Sequence, residues 1–60
     1  MRSSPGAGAR IKAARLKKGW SQTELADKLG VSQPAVAHWE SGAHAPRFAL
    51  LPRIAAMLDI

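Results

Sequence analysis

The chain of 60 residues has no cysteine, which removes both a disulfide framework and any thiolate metal site. It has no run of about 18 apolar residues, so no segment is expected to span a membrane. Its first residues, MRSSPGAGA, lack an apolar core segment and do not read as a secretory signal peptide. Together these absences fit a cytosolic protein in a reducing compartment. Carboxylates are also scarce. Four scattered Asp and Glu residues, with no cysteine, offer no nucleophile or acid/base pair for a pocket. Catalysis is therefore rejected, and no cofactor is expected. No segment alternates polar and apolar residues as a strand would, which leaves an all-α fold. A chain this short makes one domain and buries only about 60% of its unfolded surface, so it depends on good local signals or on a partner.

What the chain does have is positive charge. Nine Lys and Arg stand against four Asp and Glu, for a net +5. Five of the nine, Arg10, Lys12, Arg15, Lys17 and Lys18, fall within one short stretch. Such a balance points to an acidic partner, most commonly nucleic acid. On charge alone, a basic helix that merely faces solvent fits as well.

Local signals divide the chain into an arm and four helices. Residues 1–8 are rich in Gly, Ser and Pro and read as a flexible arm. Residues 9–60 form the domain. A first helix is expected from Ala9 to Lys18, with Ile11 and Ala14 inward and Gly19 as its stop. Leu16 falls off that inward stripe and either covers a neighbour or is exposed. SQTE is a capping box, in which Ser21 caps the second helix and Glu24 reaches back to the Ser21 N–H. Trp20 and Leu25 flank it as a hydrophobic staple, and the helix runs from Gln22 to Leu29. After a tight turn at Gly30, Val31 and Val36 repeat the staple around Ser32. The fourth helix ends near Leu58 and turns Leu51, Ile54, Ala55 and Leu58 inward. Pro52 belongs in its first turn, which sets the start near Leu50, or else it kinks a longer helix.

The stretch VSQPAVAHWESG carries the functional question. Ser32 suits an N-cap and Gly42 a C-terminal stop, and Pro34 falls where helical N–H groups have no partner anyway. On a helical wheel Gln33, Pro34, Ala37, His38 and Ser41 share one side, with Val36 and Trp39 opposite. The outward side is small and polar but uncharged, unlike an ordinary solvent face with its Lys and Glu. Trp20 and Trp39 are placed for core or staple packing, although an indole can also stack on bases. His38 and His44 have no third ligand nearby in sequence, so no metal site is expected.

From Ile11 to Leu58 the chain resembles the lambda repressor/Cro family, the Xre-type helix-turn-helix. The resemblance rests on Ile11, Arg15 and Gly19, then SQTELADKLGVSQPAV, then WESG, then Pro46, Leu51, Ile54, Ala55 and Leu58. It implies a compact bundle of short helices whose third helix enters the DNA major groove, a docking geometry described in general for this family. Members usually carry a fifth helix that covers the core and forms the dimer contact. This chain reaches Ile60 where that helix would begin, so four helices are expected.

By the same resemblance Gln33, Pro34, Ala37 and His38 would face base edges. Gln can bond adenine bidentately, whereas Pro34 replaces a position often held by a polar reader. Gln22 would meet a phosphate at a helix N-terminus, with Ser21, Ser32, Ser41, Arg10 and Arg47 as further phosphate contacts. Plain surface roles compete for Gln33, His38 and Arg47. The family also places an Arg and a Glu of these types in contact. Arg15 is the basic residue of helix one flanked by the inward Ile11 and Ala14, which implies a structural Arg15–Glu40 ion pair. The implied function is sequence-specific binding of double-stranded DNA at a two-fold operator by a repressor-like regulator. It would act in the cytoplasm at the nucleoid, as a homodimer formed at least on DNA. An antitoxin or bridging module that uses the same fold for a toxin or other protein partner is the alternative.

Overall fold

A computed structural model describes residues 6–60. In chain order it contains α1 (Ala7–Lys18), α2 (Gln22–Leu29), α3 (Gln33–Ser41), a single 3₁₀ turn (Phe48–Leu50) and α4 (Leu51–Leu58). Among the described residues there is no strand, and no helix is long and apolar enough to cross a membrane.

Each helix boundary has a local cause. Gly19, Gly30 and Gly42 close α1, α2 and α3 in the left-handed conformation, with φ of 77°, 72° and 84°. An L side chain rarely adopts that region, so glycine is the economical stop. The capping box of α2 is complete. The Glu24 N–H donates to Ser21 Oγ at 3.0 Å, and the Ser21 N–H donates to Glu24 Oε1 at 2.7 Å. Pro52 lies in the first turn of α4, so the helix starts at Leu51 without a kink.

The core is drawn from all four helices: Ile11, Leu25, Ala26, Leu29, Val36, Trp39, Ile54 and Leu58. Leu25, Leu29 and Val36 are the largest fully buried side chains, and they straddle the α2–α3 turn. Trp20 and Val31 pack against this cluster from just before each N-cap, so both staples close. A second tie comes from Arg53 of α4, which donates to the Leu29 carbonyl at 3.3 Å. That carbonyl is one of the end groups a helix leaves without a partner.

Two expectations need correction. Helix α1 begins at Ala7 rather than Ala9, with Gly6 as its N-cap. Residues 1–5 of the expected arm lie outside the described residues. Leu51 is not inward but 38% exposed. It opens α4 directly after the 3₁₀ turn, and Leu50 from that turn packs on the core in its place. Leu16 is exposed.

Candidate nucleic-acid interface

The outward face of α3 is presented by a helix fastened at both ends. At the start, the Ala35 N–H donates to Ser32 Oγ at 3.3 Å and Pro34 sits in the first turn. At the end, the Gly42 N–H donates to the Trp39 carbonyl at 3.2 Å. Ser41 Oγ donates to the His38 carbonyl at 3.2 Å and accepts from the Ala43 N–H at 3.3 Å. With Val36 and Trp39 buried, Gln33, Pro34, His38 and Ser41 are left exposed and Ala37 half-buried. The hydroxyls of Ser21 and Ser32 accept backbone N–H groups, which leaves each hydroxyl hydrogen free to donate.

A polar chain runs from α1 to this face. Arg15 is buried and grips Glu40 with two parallel bonds, Nε to Oε2 at 2.7 Å and Nη2 to Oε1 at 2.9 Å. Its Nη1 donates to the Trp20 carbonyl at 2.7 Å. The two side chains are only 9% and 4% exposed, so their charges are withdrawn from water and must satisfy each other. Burial opposes ionisation of Glu40. Hydrogen bonds from Arg15 and Gln22 and the charges of Arg15 and Lys12 outweigh it, and hold the carboxyl below its ordinary range. The hydrogen bond to Glu40 likewise raises the Arg15 pKa against the effect of burial.

The chain continues through two amides whose orientation follows from chemistry. The Glu40 carboxylate can only accept, so Gln22 must present its amide nitrogen, at 3.1 Å from Oε1. The Gln22 oxygen then faces Gln33 and accepts from Gln33 Nε2 at 2.8 Å. Gln33 is left with a free carbonyl oxygen and one spare amide hydrogen, both available on the exposed side.

Residues 11–60 match the profile of the Helix-turn-helix family. The chain belongs to that family. A relative, the uncharacterized HTH-type transcriptional regulator YqaE of Bacillus subtilis (strain 168), is 36% identical over 50 residues, covering 83% of this chain and 43% of YqaE. The chain thus matches less than half the length of this curated relative. No solved structure matches it significantly.

Within the helix-turn-helix, Gln22 and Gln33 stand across the α2–α3 turn from each other, and α1 supports both through Arg15. The basic cluster divides more unevenly than the composition implies. Arg15 is spent on Glu40, and Lys18 pairs with Asp59 at 2.6 Å. The Lys18 and Lys28 ammonium groups also lie 5.8 and 4.7 Å from the ring centre of the half-buried Trp20. Arg10 lines a groove between α1 and the end of α4, with Ala14, Leu58 and Ile60, and has no link to the α3 chain of bonds. Arg47 is exposed just before the 3₁₀ turn.

Two residues with a bearing on the site were given no role there by the sequence reading. His44 lies beside His38, with ring centres 5.2 Å apart and planes at 71°. Its N–H donates to the His38 carbonyl at 3.3 Å. A six-residue separation across a glycine stop gives no hint of that pairing. Gly8 packs against the end of α3, where an added Cβ would overlap the Trp39 carbonyl.

Proposed function

We propose that this chain is a sequence-specific double-stranded DNA-binding domain of a repressor-like transcription regulator, with α3 as the helix laid in the major groove. The observation that carries this is the bond chain from Arg15 through Glu40 and Gln22 to Gln33. It commits a buried ion pair and the Gln22 amide to orienting one exposed, uncharged side chain. Gln33 keeps one acceptor and one donor, the pair needed for adenine N6 and N7. Pro34 and Ala37 bring the backbone close and offer apolar contact to a thymine methyl, and His38 lies further along the same face. An α-helix about 10–12 Å across with its side chains fits a groove about 12 Å wide.

Phosphate contacts fall to the first turns of α2 and α3, through Gln22, Ser21 and Ser32, with Ser41, Arg10 and Arg47 as outer contacts. A homodimer on a two-fold operator would place half-sites one DNA turn apart, about 34 Å. Such a protein works in the cytoplasm, at the nucleoid. The similarity to YqaE, an HTH-type transcriptional regulator, supports the same reading.

A second reading, an antitoxin or bridging module that binds another protein, draws on the exposure of Phe48, 88%, next to a partly open Leu51. Salt separates the two. For about six phosphate contacts the slope of log K against log salt is roughly −5, whereas an apolar protein contact changes little. Titrating labelled duplex with the chain across a salt series measures that slope, and a slope near zero rules out the DNA reading.

A further inference from the structure

We infer that the base read by Gln33 is chosen at Glu40, a positioning residue sealed in the fold. Its carboxylate sets the direction of the hydrogen bonds that reach Gln33 through Gln22. The inference rests on the DNA-binding reading above and adds to it the place where the choice of base is made.

A side-chain amide is a link that can run either way, with its nitrogen as donor or its oxygen as acceptor toward a given neighbour. Two amides in series, Gln22 and Gln33, therefore have two self-consistent directions, and their own shape selects neither. Selection comes from the end of the series. Glu40 accepts from Arg15 Nε at 2.7 Å, from Arg15 Nη2 at 2.9 Å and from Gln22 Nε2 at 3.1 Å. The guanidinium is held in place by its third bond, from Nη1 to the Trp20 carbonyl at 2.7 Å. Three donors thus converge on a carboxylate whose side chain is 4% exposed. Burial opposes its ionisation, but the bonds from Arg15 and Gln22 hold its pKa below the ordinary value. An ionised carboxylate can only accept.

Turning Gln22 over would set its oxygen against Glu40 Oε1, acceptor to acceptor. As the structure stands, no buried side-chain nitrogen or oxygen of the described residues lacks a partner. At the usual strength of a hydrogen bond to a charged group, the turn is disfavoured about 10- to 150-fold. The Gln22 oxygen is therefore kept toward Gln33, which donates to it from Nε2 at 2.8 Å. Gln33 is left with its oxygen and one N–H. These match adenine, which offers N6–H as donor and N7 as acceptor. In the opposite direction Gln33 would turn its oxygen to Gln22 and show two N–H groups, which match the O6 and N7 acceptors of guanine. The side chain is the same in both cases. Only the direction differs.

The test changes the relay and reads the choice of base. Lysine has donors only, so Gln22→Lys still donates to Glu40 but obliges Gln33 to turn its oxygen inward. Gln22→Met removes both the amide donor and the amide acceptor and leaves Gln33 undirected. A randomised duplex library, selected with the parent chain and with Gln33→Ala, identifies the base pair that Gln33 reads. Duplexes differing only in A·T or G·C at that pair are then titrated at fixed salt by fluorescence anisotropy. Circular dichroism checks that each variant is folded. The parent is expected to favour adenine about 5- to 150-fold, Gln22→Met to lose most of that ratio, and Gln22→Lys to favour guanine. A role for Gln22 in stability or phosphate contact alone would shift both duplexes equally and leave the ratio unchanged. Glu40→Gln supplies an amide that serves either direction, and should lower the parent's ratio where it folds; Gln22→Lys decides the matter where it does not. If Gln33→Ala loses no adenine preference, if Gln22→Lys still prefers adenine, or if folded Glu40→Gln keeps the parent's ratio, the inference falls. Salt-dependent binding in those cases leaves the DNA-binding reading standing. Absence of salt-dependent binding by the parent overturns both.

Discussion

Gln33 of α3 donates to Gln22 of α2 at 2.8 Å, and the same Gln22 donates to Glu40 at 3.1 Å. Gln22 is thus both a residue at a helix N-terminus and the part that fixes the direction of Gln33. A role confined to phosphate contact would make Gln22→Ala weaken all DNA sequences alike. The observed bond adds a second effect. Gln33→Ala is expected to cost about 1–3 kcal/mol on the preferred site and to relax preference at one base pair. Gln22→Ala should weaken every sequence and also erode preference at that same base pair. A double-mutant cycle on preferred and random duplexes checks this, with a coupling of about 0.5–3 kcal/mol expected on the preferred site alone. Zero coupling would mean that the two amides act independently.

The Arg15–Glu40 pair makes a prediction about stability. Both side chains are nearly sealed from water, so removing one strands the other as an unpaired buried charge. Arg15→Met is expected to cost about 3–5 kcal/mol, which in so small a domain can unfold it. Lys17 is exposed, and Lys17→Met should leave the fold intact while weakening DNA binding. Thermal melts followed by circular dichroism decide the matter. A melt for Arg15→Met within a degree or two of the parent would show that the pair carries little.

The same pair sets an acid limit. Glu40 has its folded-state pKa lowered, so its contribution is complete above the ordinary glutamate pKa of about 4.3 and is lost as pH falls through the lower folded value. Melting temperature should hold nearly steady from pH 7 to about 5 and then fall, and Glu40→Gln should flatten part of that fall. Asp59 is also lowered, by Lys18, but it is exposed and screened, so Asp59→Asn should alter the acid profile little.

Much of this molecule was legible in the chain because its signals are local. The SQTE box, the Ser32 cap and the glycine stops act within one turn of helix, and the described boundaries of α2 and α3 follow them. Val36 and Trp39 within α3, and Ile54 and Leu58 within α4, stand at helical spacing, which identifies their buried faces. The Gln22–Gln33 bond, the His38–His44 contact and the exposure of Leu51 were not legible. Each depends on where one element lies against another, and residue spacing carries no such information. Gly8 failed for a related reason. A glycine among Ser and Pro reads as linker, although its lack of a side chain serves a packing contact.

That contact supports a last prediction, in which two effects of opposite sign compete. Gly8 lies in the second position of α1, and intrinsic propensity favours alanine over glycine within a helix by about 1 kcal/mol or less. On that ground alone Gly8→Ala would stabilise the domain. Yet a Cβ at Gly8 would overlap the Trp39 carbonyl, with the Trp39 carbonyl carbon at 3.1 Å and the Glu40 oxygen at 3.2 Å close behind. These are backbone atoms of α3 and cannot swing aside as a flexible side chain would. Either the first turn of α1 unwinds or α1 lifts from α3. Lifting α1 also disturbs Arg15, whose two bonds to Glu40 span the same pair of helices. Overpacking of this kind costs about 1–3 kcal/mol, which exceeds the propensity gain, so the net sign is destabilising. With a shift of about 4–8 °C for each kcal/mol in a domain of this size, Gly8→Ala should melt several degrees below the parent. A Gly8→Ala variant that melts at or above the parent temperature would mean that α1 does not rest on α3 through this glycine.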